Sequence, residues 1–474
     1  MTRAAWFLEL TVVVLSACGT VVDLSDSGPA LADPTASDTE GVGAARRDAG
    51  LRISVLHYYV SPSGVDDTAV HDGRSPARPW RTLQFADGHA AANDSTNAVI
   101  HLAAGTYEPV SVSKAGLTFE NLDGDDVVIA PKSGVKDLVR IVKVWASAEH
   151  ATTFKRYGST GSFVLSYGAA PSGSDNTYTG VNIYDASNVT LEGLTIRASP
   201  GFGVAVSNTS GGTPTHQVII KDCTIANNGL NGLREIRGDS NVFQGNTIMN
   251  NGKDGQPYNG DGILLQGTNT RVLRNTISFN GDNTSYEHGI YVGATAAGYE
   301  IANNCLEGNA ASGIKAEGQG RVHGNRVSGH TKIGFVLEAG ADGGVEVDHN
   351  TVDGDYLYGV WTTRDSIGNL HDNVFRGPAT TWEPEAGGAP PSFMAFAFAT
   401  RMDLRGNVFR APGRTYTYKL FSTVPSTAIT SSDGNSFNLG TFAWPAKSAS
   451  DLTFATWRSL TGFDGTSQCS GPNC

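Results

Sequence analysis

Asn231, Asp261, His288 and Ser312 each precede a glycine at the same point of successive repeats, and Arg234, Leu264, Tyr291 and Lys315 stand three places after them. Glu287 adjoins His288, and Glu317 follows Lys315 by two. If the repeats stack, one face presents Asp261, Glu287, His288, Tyr291, Arg234 and Lys315 within a few strands. These residue types provide a base for a carbon-bound proton, a cation to neutralise a carboxylate, and an acid for a leaving oxygen. His288, Lys315 or Arg234 would be the base or the neutralising cation, and Tyr291 the acid. Hydrolysis needs instead two carboxylates at a suitable separation, and Asp261 with Glu287 is the nearby pair. The plainer reading is turn chemistry: Asp and His before glycine are common in such turns, and an exposed Lys or Arg is ordinarily just solvated.

The elements that must position these residues are legible as a repeat. Asn246-Thr247-Ile248 recurs as Asn275-Thr276-Ile277, Asn304-Cys305-Leu306, Asn325-Arg326-Val327, Asn350-Thr351-Val352, Asn373-Val374-Phe375, Asn407-Val408-Phe409 and Asn435-Ser436-Phe437. Leu194-Thr195-Ile196 and Cys223-Thr224-Ile225 fit the same register. The steps are 29, 23, 29, 29, 21, 25, 23, 34 and 28 residues. Periods in this range mean a solenoid or propeller. Strand-like triplets with unequal steps predict a β-solenoid whose turns vary in length. The residue after the aligned glycine is Val204, Leu233, Ile263, Ile290, Ile314, Phe335 and Val360, an inward column. Period-two alternation then sends Ala205, Arg234, Leu264, Tyr291, Lys315, Val336 and Trp361 outward. The triplet Asn is expected to stack as an internal amide ladder. Lys132 to Gly180 departs from the repeat and is expected to be a long insertion or an irregular early rung, and Gly377 to Phe393 is expected to be an insertion between rungs.

Composition sets bounds on partner and compartment. Glycine is 58 of 474 residues, 17% are charged, and the formal charge is -12. This excludes disorder driven by charge, and it disfavours nucleic acid as a partner. A local basic patch could still meet an acidic sugar polymer. Arg3 and the apolar run from Ala4 to Val14 form an export signal too short to span a membrane. The segment ends Leu15-Ser16-Ala17-Cys18, followed by Gly19. It resembles the bacterial lipobox, so residues 1–18 are expected to be a lipoprotein signal with Cys18 lipidated. Residues 19–50 would be a flexible tether, and residues 51–474 the folded domain. Lipid would be the membrane contact, which places the chain at the bacterial cell envelope. Cys223 and Cys305 lie in repeat triplets and are expected to be free core thiols. Cys469 and Cys474 would pair after export.

His57-Tyr58-Tyr59-Val60-Ser61-Pro62-Ser63-Gly64, then Asp72-Gly73, Pro79-Trp80-Arg81-Thr82-Leu83-Gln84 and Ala104-Gly105-Thr106-Tyr107 carry a resemblance. They resemble the N-terminal cap of bacterial right-handed parallel β-helix proteins of the pectate-lyase-like superfamily. Trp457-Arg458-Ser459-Leu460-Thr461-Gly462-Phe463-Asp464 is similar to the segment that closes some of them. The resemblance implies an all-β fold, a single-stranded right-handed parallel β-helix with a short capping helix within Phe85 to Ala92. Residues 51–130 would form the cap and first rungs, and residues 440–474 the C-terminal cap.

It also implies a polysaccharide partner, acidic more than neutral, bound and cleaved by elimination rather than by hydrolysis or epimerisation, in a monomer. A non-catalytic surface protein that binds glycan or protein on the solenoid face stays open, because the superfamily holds both. Related lyases use Ca²⁺ held by carboxylates, and the turn of Asp123, Asp125 and Asp126 is the candidate. A solvated turn is the alternative. His323, His349 and His371 read as surface turn residues rather than a metal site.

Overall fold

A computed structural model describes residues 53–474 apart from 94, 170–172, 254–258, 283–284, 330–331, 339–343, 355–356, 364–365, 378–391, 397–400, 411–415, 421–427, 439–440, 444–451 and 472. Cys18, the signal and the tether lie outside these residues, as does most of the insertion expected at Gly377 to Phe393. Each repeat contributes three short strands, and each strand pairs in parallel with its counterpart one repeat on. The first wall runs from Ser54–Val60 to Ile429–Asp433, the second from Val110–Val112 to Phe442–Ala443, and the third from Gly105–Tyr107 to Gln468–Cys469. The first two walls are continuous in one 28-stranded sheet, and the third is a 14-stranded sheet.

The inward column forms as the repeat predicts. Val204, Leu233, Ile263, Ile290, Ile314, Phe335 and Val360 pair in register along the second wall and are buried. The preceding glycines are required by close approach at the corner. A β-carbon on Gly262 would stand 2.6 Å from Gly289 O and 2.6 Å from Ile277 Cγ2. Other corners turn on residues in the left-handed region, among them Asn250 (φ 55°), Asn303 (φ 56°) and Asp372 (φ 57°), types that tolerate it.

The triplet asparagines form the amide ladder. Asn304 Nδ2 donates to Val272 O at 2.8 Å and to Asn325 Oδ1 at 2.9 Å, while its Oδ1 accepts from Asn275 N and Nδ2 at 2.9 Å. The bonding continues from Asn246 to Asn435. A second ladder, Asn228, Asn251, Asn280 and Asn309, runs beside it. Each of its members stands five residues after a triplet's first position, a constant spacing that marks it in the sequence.

Of the two readings of Lys132 to Gly180, the irregular early rung holds. Asp137–Val142, Thr152–Lys155 and Ser162–Ser166 pair in register with all three walls. Its turns are long and it lacks the triplet Asn, which is why the repeat alone left both readings open. At the N-terminal end, helix α1 (Leu83–His89) is capped by Thr82, whose hydroxyl accepts from Phe85 N. Trp80, buried, stacks on Tyr58 at 4.9 Å. At the other end, helix α2 (Phe454–Thr461) stops at Gly462 (φ 72°). The Asp464 carboxylate beyond it accepts from Ser432 Oγ, Asn435 Nδ2, Ser467 Oγ and Trp457 Nε1. It therefore closes the first ladder with the acceptor that a further Asn would provide. Cys469 and Cys474 are joined, with Cα atoms 5.4 Å apart. Cys223 is a buried free thiol. Cys305 corrects the expectation for its pair, because at the start of its strand it is only half-buried and not in the core.

Candidate active site

The outward column of the second wall is continuous in register through Arg234, Leu264, Tyr291, Lys315, Val336 and Trp361. Tyr291 and Lys315 point out because Ile290 and Ile314 point in. Together with His288 they line a cleft of about 520 Å³. Ser285 and Tyr286 rise on one side, Lys332 and Ile333 on another, and Glu338 and Trp361 bound it further along.

Lys315 Nζ lies 2.9 Å from Glu317 Oε1 and 2.6 Å from Glu338 Oε2, and 4.8 Å from the centre of the Tyr291 ring. Burial works to lower the Lys315 ammonium, but the hydrogen bonds to Glu338 and Glu317 outweigh it and hold it above the ordinary lysine range. Lys315 is therefore a fixed cation and not a base. Tyr291 donates its hydroxyl to Glu317 Oε1 at 3.1 Å. Burial pushes Tyr291 up to about 12, so the phenol keeps its proton. His288 Nδ1 lies 2.6 Å from Ser312 Oγ, and its ring meets Tyr291 edge-on at 5.8 Å.

The other three candidates do not reach the cleft. Asp261 is 1% exposed: its Oδ1 accepts from His288 N at 2.8 Å and its Oδ2 from Asn231 Nδ2 at 3.0 Å. Burial pushes the Asp261 carboxyl up to about 8, the His288 N–H opposing and the Glu287 charge adding. Glu287 is also buried, and its Oε2 accepts from Asp282 N at 2.7 Å. The carboxylate pair expected for hydrolysis thus lies beneath the surface, where Asp261 supports the backbone of His288. Arg234 stands over the Phe202 ring at 4.8 Å, two strands from Tyr291, and does not line the cleft. Burial, then Arg237, lowers it from the ordinary arginine value. Glu338 was missed although it was legible, standing four places after Gly334 as Glu317 stands after Gly313, whereas Tyr286 and Lys332 lie in the turns before their aligned glycines, where alternation gives no direction.

Asp123, Asp125 and Asp126 do not gather around one point. They face Thr160 Oγ1, Ala104 N and Ser162 Oγ respectively. Among the described residues, the group with ligand atoms close enough for a metal is Glu346, Asp348 and His371, all within 4.8 Å. Arg321 already holds both Asp348 oxygens at 2.8 Å, and a guanidinium there opposes a second cation. His323 and His371 end strands in register with Asp348 rather than sitting in turns, and His349 alone is at a turn (φ 55°).

A family model described as a right handed beta helix region matches residues 172–327 and 220–375. With the three parallel walls, this defines the chain as a right-handed parallel β-helix protein. The chain is similar to solved structures. PfbA, a surface adhesin of Streptococcus pneumoniae, is 11% identical with a TM-score of 0.51, over 77% of this chain and 93% of that one. The A-module of mannuronan C-5 epimerase AlgE4 from Azotobacter vinelandii is 13% identical with a TM-score of 0.46, over 87% and 96%. An alginate lyase from Paenibacillus sp. str. FPU-7 is 14% identical with a TM-score of 0.39, over 62% and 95%. At 11% identity the likeness to PfbA is one of fold alone. No curated protein matches the sequence.

Proposed function

We propose that this protein binds an acidic polysaccharide on the second wall and opens it by β-elimination in the His288 cleft. The observation that supports this reading is the meeting of one fixed cation, one protonated phenol and one imidazole in a single cleft. A uronate carboxylate takes a place at Lys315, displacing Glu338, whose side chain is 37% exposed. Neutralised there, the carboxylate makes the adjacent C5 proton more acidic. When His288 Nδ1 donates to Ser312 Oγ, the other ring nitrogen carries a lone pair. That nitrogen takes the C5 proton. The C4–O bond breaks, C4 and C5 become doubly bonded, and the leaving oxygen takes the Tyr291 proton. Tyr291 then recovers a proton from the His288 imidazolium through solvent. Trp361, tilted on Tyr358 at 4.8 Å, offers a face for a neighbouring sugar. We place the protein at the cell envelope, lipid-anchored through Cys18.

A non-catalytic reading draws on the same pair of carboxylates. With Glu317 and Glu338 both on Lys315, the cleft is near neutral and could hold glycan without reacting. The two readings part when purified protein meets a panel of uronate polymers under absorbance monitoring. Elimination gives rising absorbance from the unsaturated product. Retention of intact polymer without that rise favours binding alone.

A further inference from the structure

The outward columns of the two adjoining walls differ in charge. On the first wall, Glu120, Lys155, Glu192 and Lys221 follow one another in register, with Lys155–Glu120 and Lys221–Glu192 both paired at 3.0 Å. Beside them Arg271, Glu300, Arg321 and Glu346 alternate in the same way. Alternation of sign across neighbouring strands neutralises that surface. The column of the second wall that carries Tyr291 is different. From Ser111 to Trp361 it includes Arg140, Arg234 and Lys315 and not one carboxylate. Of these three columns it alone carries cations with no carboxylate in the column itself, Glu317 and Glu338 flanking Lys315 from beside it, which lessens repulsion of a polyanion there.

A second cleft opens on the same strip. It has a volume of about 480 Å³ and includes Gln84, Ser111, Lys136, Asp137, Arg140 and Asn182. Arg140 is exposed, and its nearest carboxylate oxygen, on Asp137, is 4.0 Å away. Asp137 is itself turned to Asn182 Nδ2 at 3.1 Å. Lys136 Nζ is held by Thr177 Oγ1 at 2.6 Å, and Asp175 Oδ1 in turn holds that hydroxyl at 2.5 Å. Gln84 fixes the rim by bonding both backbone groups of Ser111. Lys136 and Arg140 both line this cleft; Asp175 stands behind Thr177 on the Lys136 side, and Arg140 keeps no carboxylate within hydrogen-bond distance. Arg140 and Lys315 are six strand steps apart in register, which is about 29 Å at the ordinary strand spacing.

We infer that the Arg140 cleft is a remote anion subsite for the same acidic polymer, which lies along the solenoid axis over the second wall. This rests on the reading of the His288 cleft as an acidic-polysaccharide site. A chain long enough to span both clefts gains from the second contact through its high effective concentration, whereas a short oligomer cannot. The test measures equilibrium binding in the His288→Ala background, so that no chain is cut. Polygalacturonate, alginate and hyaluronan are each offered as long chains and as tetrasaccharides. We expect long chains of one polymer to bind more tightly than its tetrasaccharide. Arg140→Gln with Lys136→Gln should weaken the long chain by about tenfold, one charge-assisted contact, and leave the tetrasaccharide unchanged. Lys315→Gln should weaken both. Long-chain affinity that survives Arg140→Gln with Lys136→Gln, while Lys315→Gln still lowers it, overturns the remote subsite and leaves the His288 cleft standing. Absence of binding to any of the three polymers overturns both.

Discussion

Lys315 shows what a single residue's surroundings decide. By its type it could be a base; between Glu317 and Glu338 it is a permanent cation. That leaves His288 for proton transfer, and His288→Ala should lower turnover by at least about a hundredfold, the low end for general acid–base groups. Lys315→Ala should do the same, and circular dichroism should report an unchanged fold for both, because Ile290 and Ile314 hold the strands. Tyr291 and Lys315 were legible because strand alternation distinguishes inward from outward, and His288, in the turn before its strand, was legible by its residue type alone. Asp261 and Glu287 were misplaced because alternation stops at the turn that carries them, and a sequence does not show which turn residues are covered by their neighbours. Arg234 was legible as outward, but the distance that Leu264 puts between it and Tyr291 was overlooked.

At the scale of elements, the ladders carry the repeat. Asp464 terminates one of them with four accepted hydrogen bonds and no exposure. Asp464→Ala orphans those donors and should cost about 3 kcal/mol or more, read as a lowered midpoint of chemical unfolding. Asp464→Asn, which keeps an acceptor and tolerates φ 58°, should cost less. The inward column of the second wall holds one further element-scale feature. Glu235 stands between Val206 and Leu265 with no exposure. Its Oε1 accepts from Asn241 Nδ2 at 2.6 Å and Thr270 Oγ1 at 2.8 Å, and the Gly267 backbone lies against the carboxylate. Burial pushes Glu235 up to about 7 from 4.5, against those two bonds. The native state then binds the proton more tightly than the unfolded chain. Its contribution is complete below 4.5 and is lost as pH rises through about 7. Glu235→Gln should remove up to about 3 kcal/mol of this loss, so its melting temperature should fall less than the parent's over that window. An equal fall in both proteins would contradict the assignment. None of this was legible, because Glu235 occupies an inward position by register while its residue type points outward.

The whole molecule was largely legible, because a solenoid repeats its own instructions: triplet, corner glycine and inward aliphatic recur often enough to outweigh unequal turns. The rung at Lys132 to Gly180 was legible only as one of two readings, because its turns outgrow its strands. The charge pattern of the walls is a property of the assembled surface and emerges only once register is known. At this scale too, Cys18→Ser should move the protein from the membrane fraction to the soluble one, and an unmodified N-terminus downstream of Cys18 would remove the anchor. The central claim is elimination in the His288 cleft, and cleavage in heavy-oxygen water tests it most directly. Elimination breaks the C4–O bond without adding water, so mass spectrometry of the fragments should show an unsaturated end and no incorporated heavy oxygen. One heavy oxygen atom per cut would mean hydrolysis and would contradict the account, as would failure of the parent protein to cut any uronate polymer.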